Sequence, residues 1–315
     1  MRMTLNGWLL ENDFFAVIAH IRPDGDTIGS ALALTSALKR IGKRAACICR
    51  DKVPDDLLFL PGASEIVLPE NMPFAPKAVL FADVSALDRA GVGADFYKGL
   101  PTATLDHHPT NDFFSDVNAI FPDAAATGVE AVRVIEELGL TLTRDEALCL
   151  YTAIATDTGN FSFTNTNGAA FRAAARCADA GIDIERAANI LFHLRTASKT
   201  RLIGAALSEL RLIEGGKIAY TVFTDEMFAR CGAKSEETNG IIDFLKQIEG
   251  VQAAFTAEVA EDGTRFSLRS ASDIDVGEIA KKLGGGGHKK AAGATVARPL
   301  DEAVSAVIGM LKGAL

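Results

Sequence analysis

"FFAVIAHIRPDGDTIGSALALTSALKRIG", residues 14–42, holds the transition on which the fold turns. It opens on a continuous apolar run that ends at His20, the length of a strand buried on both faces. From Thr27 the apolar residues take helical spacing and keep it to Gly42, which is placed to stop the helix. Pro23 and Gly25 bend the chain between the two. The same succession continues downstream. "AACIC" (45–49), "AVLFADV" (78–84) and "TATLDHH" (102–108) read as strands. "TGVEAVRVIEELG" (127–139) and "TRDEALCLYTAIATDTG" (143–159) read as helices. Strands alternating with helices predict an α/β fold, a parallel sheet with helices on its faces.

After Thr166 the pattern becomes mostly helical, through "GAAFRAAARCADAG" and "DIERAANILFHLRTASKTRLIGAALSELRL". Strands return with "GGKIAYTVFT" (215–224), "VQAAFTAEV" and "TRFSLRS". Helices are expected over "SEETNGIIDFLKQI", "DVGEIAKKLG" and the closing "LDEAVSAVIGMLKG". The organisation predicted is a first domain over 1–185, a helical linker over 186–214 and a smaller α/β domain over 215–315. A length of 315 residues fits two domains.

Composition narrows the class. A hydrophobic share of 48% with 23% charged residues fits a globular protein with sizeable cores. No stretch approaches the ~20 apolar residues of a membrane helix, and the N-terminus does not read as a signal peptide, so the cytoplasm is the expected location. A net charge of −9 argues against a broad basic face for long duplex nucleic acid. The five cysteines are scattered and read as small buried hydrophobes.

The chemistry-bearing residues cluster. His20 ends the first strand, with Asp24 and Asp26 in the loop after it. Asp83 follows "AVLFA", Asp106-His107-His108 follows "TATL", and Asp157 follows "LCLYTAIAT". Each stands where an apolar element runs into a loop, and open parallel sheets bind ligands beyond the carboxyl ends of their strands. Any one of these acids alone would be a turn former or a helix cap; the joint pattern carries the signal. Carboxylates and imidazoles without a cysteine cluster suit Mn²⁺, Mg²⁺ or Zn²⁺. So many ligands exceed the needs of one ion and suit a pair about 3.5–4 Å apart. A second signal is "GGGGHKKAAG" (284–293), a glycine run poor for helix or strand beside local positive charge, which points to phosphate.

"HIRPDGDTIGS", "FADVS", "TLDHHPT" and "ATDTGNFSFTNT", in that order, resemble the four motifs of the DHH phosphoesterase superfamily. "RFSLRSASDIDVGEIAKKLGGGGHKKAAGAT" resembles the GGGH segment of the DHH-associated domain. Size and two-domain plan are similar to the bifunctional oligoribonuclease and pAp phosphatase group, the nanoRNases. The resemblance implies two divalent cations, Mn²⁺ in this family. One would rest on His20, Asp24 and Asp83; the other on Asp26, a bridging Asp83, His107 and Asp157. Asp106 would orient a neighbouring histidine, and His108 would position the substrate or protonate the leaving oxygen. In the second domain Gly285, Gly286 and Gly287 would offer N–H groups to a phosphate, with Arg269, Ser270 and His288 beside them. The reaction implied is hydrolysis of oligoribonucleotides of about two to five nucleotides, and of pAp to AMP, by a hydroxide bridging the metals. The substrate would lie in a cleft that closes on a hinge near 185–215. The partners implied are a short RNA or nucleotide and a second copy of the chain, with no membrane. A cyclic di-AMP or pApA phosphodiesterase is the main alternative; the complete ligand set disfavours a non-catalytic nucleotide-binding regulator.

Overall fold

In the computed structural model, which describes residues 3–315, the apolar run after Phe14 forms β1 (Phe15–Ala19), buried along its whole length. A short helix not expected from the sequence, α1 (Leu5–Glu11), precedes it with Thr4 as its cap. After β1 come α2 (Gly25–Arg40), β2 (Ala45–Ile48), β3 (Ala78–Ala82), α3 (Ala94–Tyr97) and β4 (Thr102–Asp106). A further strand, β5 (Val117–Ile120), is also absent from the expectation. It is half-buried at the sheet edge and too short to show a hydrophobic period. The five strands run parallel in the order β2-β1-β3-β4-β5. Helices α4 (Thr127–Glu137), α5 (Arg144–Asp157), α6 (Gly168–Asp179) and α7 (Ile184–Ala188) follow, the last running into a π-helical turn over Asn189–His193.

Two apolar layers hold this sheet. On one side Phe15, Leu80 and Leu105 pack with Trp8, Leu34 and Ile154; on the other Ile18 and Phe81 meet Val84 and Phe114. Gly29 matters to the first layer: a Cβ there would come within 2.3 Å of the Cys149 carbonyl, so its absence lets α2 and α5 pack backbone to backbone. All five cysteines are buried and free, as expected.

The chain divides into two units between Leu194 and Arg195, inside the 186–214 segment expected as a helical linker. That segment is not one helix. Its helical run stops at Leu194, whose backbone is extended, and restarts at α8 (Ala197–Ser208) with Thr196 as N-cap. Leu202 and Ala206 of α8 need an apolar partner and find Phe223 and Met227 in the second unit. Residues Arg211–Ile213 form β6 and pair antiparallel with β7 (Ile218–Phe223). The rest of the unit is α9 (Asp225–Cys231), α10 (Ile241–Lys246), β8 (Ala253–Ala260), β9 (Gly263–Ser270), α11 (Val276–Lys282), β10 (Gly286–His288), β11 (Ala291–Val296) and α12 (Leu300–Lys312). "SEETNGIIDFLKQI" is broken rather than continuous: a 3₁₀ turn over Ser235–Thr238 precedes α10, and Gly240 at φ 82° separates them. The second sheet has the order β10-β11-β9-β8-β7-β6, with β7 and β8 parallel and the other pairs antiparallel. Tyr220, Phe255, Phe266 and Leu268 form its core with Val307 of α12. No described helix is long and apolar enough to cross a membrane.

Candidate metal centre

The residues singled out in the first unit converge at the carboxyl end of its sheet. His20 follows β1 and is 2% exposed. Its Nδ1 lies 2.8 Å from the Ile21 carbonyl, a pure acceptor, which keeps a ring proton on Nδ1 and turns Nε2 to the acids. The longer 3.4 Å approach of Arg89 to the same nitrogen does not compete with that bond. Nε2 is 3.7 Å from Asp24 Oδ2 and 3.5 Å from Asp83 Oδ2. Asp24 caps α2, its Oδ1 accepting from the N–H groups of Asp26 and Thr27 at 3.1 Å each, which leaves Oδ2 for the cluster.

Asp83 occupies the middle. It ends the turn out of β3 at φ 62°, a left-handed backbone that aspartate tolerates better than bulkier residues. One oxygen, Oδ2, faces His20; the other, Oδ1, is 3.7 Å from His107 Nε2 and 3.5 Å from His108 Nδ1. His107 is held by the Ala124 carbonyl at Nδ1, and its Nε2 lies 3.3 Å from Asp157 and 3.7 Å from Asp26. Asp157 is the last residue of α5. Three groups of ligand atoms could thus hold a metal: His20, Asp24 and Asp83; Asp26, His107 and Asp157; Asp83, His107 and His108.

Asp106 lies outside these groups. It is fully buried and accepts from His108 Nδ1 and Asn111 Nδ2, both at 2.7 Å. Helix α4 supplies further supports that the sequence did not announce. Its N-cap position is Ala126, with no side chain to cap the first turn. Asp26 takes that role from across the domain, accepting from Thr127 N at 2.6 Å and Gly128 N at 2.9 Å, with Ser30 Oγ at 3.0 Å. Thr127 Oγ1 donates to Asp83 at 2.9 Å. A helix start lacking a capping side chain was the one available signal that α4 would seek an acceptor elsewhere.

In the second unit the glycine run is a hairpin entrance rather than an irregular loop. Gly284, at φ 83°, and Gly285 close α11 with paired bonds from Gly284 N to Lys281 O and Gly285 N to Ala280 O. Gly286, Gly287 and His288 form the exposed edge strand β10 against β11. A Cβ on Gly285 would reach 2.1 Å from Gly293 O, and one on Gly287 2.5 Å from Ala292 Cα. At Gly286 a Cβ would meet open space. Arg269 is on β9, its Nε 3.9 Å from Asp243. Ser270 is used differently from the expectation: it is 5% exposed, and its hydroxyl donates to the Ser272 carbonyl within the turn after β9.

The DHH family N-terminal domain model matches residues 15–154, and the DHHA1 domain model matches residues 201–313. A bifunctional oligoribonuclease and PAP phosphatase NrnA of Thermus thermophilus is 35% identical over 93% of this chain and 87% of its own. The chain belongs to the DHH family. The Bacillus subtilis protein of the same name is 25% identical over 88% of this chain and 87% of its own. The crystal structure of an exopolyphosphatase-related protein from Bacteroides fragilis superposes with a TM-score of 0.89, covering 97% of this chain and 94% of that one at 24% identity. That likeness speaks for the fold alone.

Electrostatics in the DHH unit fit the donor set to a divalent cation. Burial, and then the charges of Asp83, Asp157 and Asp24, push the Asp26 carboxyl well above its ordinary range. Burial also raises Asp83, against the hydrogen bond from His20, and lifts Asp157 to about 6. Burial opposes a charge on His20, but Asp24 and Asp83 outweigh it and raise the imidazole to about 10. Crowded, partly desolvated carboxylates with this appetite for positive charge, flanked by imidazoles, match the oxygen and nitrogen preferences of Mn²⁺, Mg²⁺ or Zn²⁺. For Asp106 burial is outweighed by the His108 and Asn111 hydrogen bonds, which hold it below the usual range.

Proposed function

We propose that this protein hydrolyses phosphate esters of short oligoribonucleotides and of pAp, using two divalent cations held by the DHH unit. The observation that carries the reading is Asp83, whose two oxygens face His20 on one side and His107 on the other. His20, Asp24 and Asp83 would hold one cation; Asp26, Asp83, His107 and Asp157 would hold the second, with Mn²⁺ the expected ion. Bound there, the cations would supply a water acidic enough to attack at neutral pH and would neutralise charge on the phosphoryl oxygens. The chain's own residues do the rest. Asp106 fixes His108 through Nδ1 and raises its affinity for a proton, so Nε2 can hold a proton toward the leaving oxygen. Thr127 and the α4 N-terminus keep Asp83 and Asp26 in one rotamer. Arg269 and His288, with the N–H groups near Gly286, are the proposed contacts of the DHHA1 unit with a substrate phosphate.

The substrate class follows the relatives named as oligoribonuclease and PAP phosphatase. The acidic net charge of −9 also disfavours long polyanions. A hydrolysis panel with added Mn²⁺ tests this: pAp, RNA from dimer to 24-mer, cyclic di-AMP, pApA and pyrophosphate. Highest kcat/KM on pAp and the shortest RNAs is the expected result. Preference for cyclic di-AMP, or for pyrophosphate, would overturn the substrate assignment.

A further inference from the structure

The segment after Asp157 has an unusual backbone. Gly159, Asn160 and Phe161 are all left-handed, at φ 54°, 54° and 63°. Glycine adopts this freely; an asparagine followed by a bulky phenylalanine does so against steric strain. Bonds from Asn160 N to Ala155 O and from Phe161 N to Thr158 Oγ1 hold the turn. Phe161 then points inward and stacks on Phe171, ring centroids 5.2 Å apart. Phe163 does the opposite. It is 57% exposed, and its ring edge lies so close to Gly159 that a Cβ there would come within 2.4 Å of it. Asn165 Nδ2 ties the far end of the segment to the Asp157 carbonyl at 3.1 Å and to Ala125 O at 2.9 Å.

A lone exposed phenylalanine is unremarkable on a protein surface. This one lies against a bare glycine at the end of a strained turn, and that glycine, Gly159, stands two residues past Asp157 of the metal cluster. Strain of this kind collects where a ligand is met. The neighbouring groups in the cluster are acidic and offer nothing to the uncharged part of a nucleotide. An aromatic face does, because every nucleobase has a π-surface to stack on it.

We infer that Phe163 is the stacking platform for the nucleobase of the nucleotide whose phosphate lies at the metal centre. The inference rests on the proposed phosphoesterase function and adds how the substrate's base is held. One platform serves one base, so its contribution is the same for pAp and for a dinucleotide and does not grow with length.

The test compares the wild type, Phe163→Ala and Phe163→Trp on pAp, pApA and ribose 3,5-bisphosphate, which is pAp without its base. The quantity read is the ratio of kcat/KM on a base-bearing substrate to that on the base-free one. For Phe163→Ala the ratio falls roughly tenfold or more, through KM, as expected from loss of one stacked base. Phe163→Trp restores it. An unchanged ratio, whether both rates fall together or neither does, overturns the inference. Calorimetric binding of AMP and of ribose 5-phosphate to wild type and Phe163→Ala separates this from the functional reading. If no substrate is turned over but AMP binding weakens selectively in Phe163→Ala, the phosphoesterase proposal fails and the platform stands. If AMP binds both proteins equally, the platform fails.

Discussion

Asp106 and Asn111 make the clearest case at the scale of single residues, because neither lies in a ligand group and both decide what His108 can do. Asp106 grips Nδ1 of His108 at 2.7 Å, and that hydrogen bond is the main reason the imidazole pKa is raised. Asp106→Asn keeps the shape and removes the charge. Its expected effect is a fall in kcat of about 10²-fold or more with KM little changed, as for loss of a positioned general acid. The alkaline limb of the pH profile should move to lower pH, since His108 then releases its proton sooner; a pH–rate series with both proteins checks the direction. The acids and imidazoles that the fold brings together stood out in the sequence because they ended apolar elements four times over. Thr127, Gly128 and Asn111 were not, because they act through N–H groups and a hydroxyl that any loop also carries. Ser270, a phosphate contact by the resemblance, has its hydroxyl engaged by the turn after β9.

Among the elements, the hairpin of β10 and β11 explains what four glycines are for. Gly284 closes a helix in a left-handed conformation, and Gly285 and Gly287 make room for β11. Gly286 alone of the four has neither a left-handed backbone nor a steric partner: Gly285 has the partner, Gly284 the left-handed φ, and Gly287 both. Gly287→Ala, at φ 141° and against Ala292, should lower stability by about 2 kcal/mol, and Gly286→Ala by under about 0.5 kcal/mol, in urea titrations. A fall in turnover for the stable Gly286→Ala variant would mark that backbone as a ligand contact. Glu237 makes a second element-scale prediction. Hydrogen bonds from Thr196, Lys234 N and Ser198 tie it to the start of α8 and lower its pKa from 4.5 to about 2. A carboxyl whose folded pKa is depressed contributes stability above its unfolded value and loses it as pH falls toward the folded one. Acid should therefore weaken the DHHA1 unit between pH 4.5 and about 2, and Glu237→Gln should flatten that slope in denaturation curves. The long helices and buried strands were plain in the sequence from their periods. Strands β5, β6, β10 and β11 were not: β5, β6 and β10 are short, half-exposed or more, and at a sheet edge, and β11 is built mainly of alanine and glycine, so pairing rather than pattern defines them.

At the scale of the whole molecule, the division between Leu194 and Arg195 separates two chemistries: acids and imidazoles in one unit, glycines with Arg269 and His288 in the other. The sequence located both but placed the border by the end of strand patterning, which put α8 in a linker. Burial of Leu202 and Ala206 assigns that helix to the DHHA1 unit instead. The family match has the same two-part form, 15–154 and 201–313. The central claim is that the DHH unit performs metal-dependent ester hydrolysis through a carboxylate shared by two ligand groups. The measurement that tests it most directly is turnover of a 5′-phosphorylated RNA dinucleotide by wild type and Asp83→Ala, each with Mn²⁺ and after chelation. Asp83→Ala removes a ligand from both groups, so the account predicts turnover only in metal-supplied wild type, with the variant slower by roughly 10³-fold or more. Hydrolysis that survives chelation, or that Asp83→Ala retains at near wild-type rate, would contradict it.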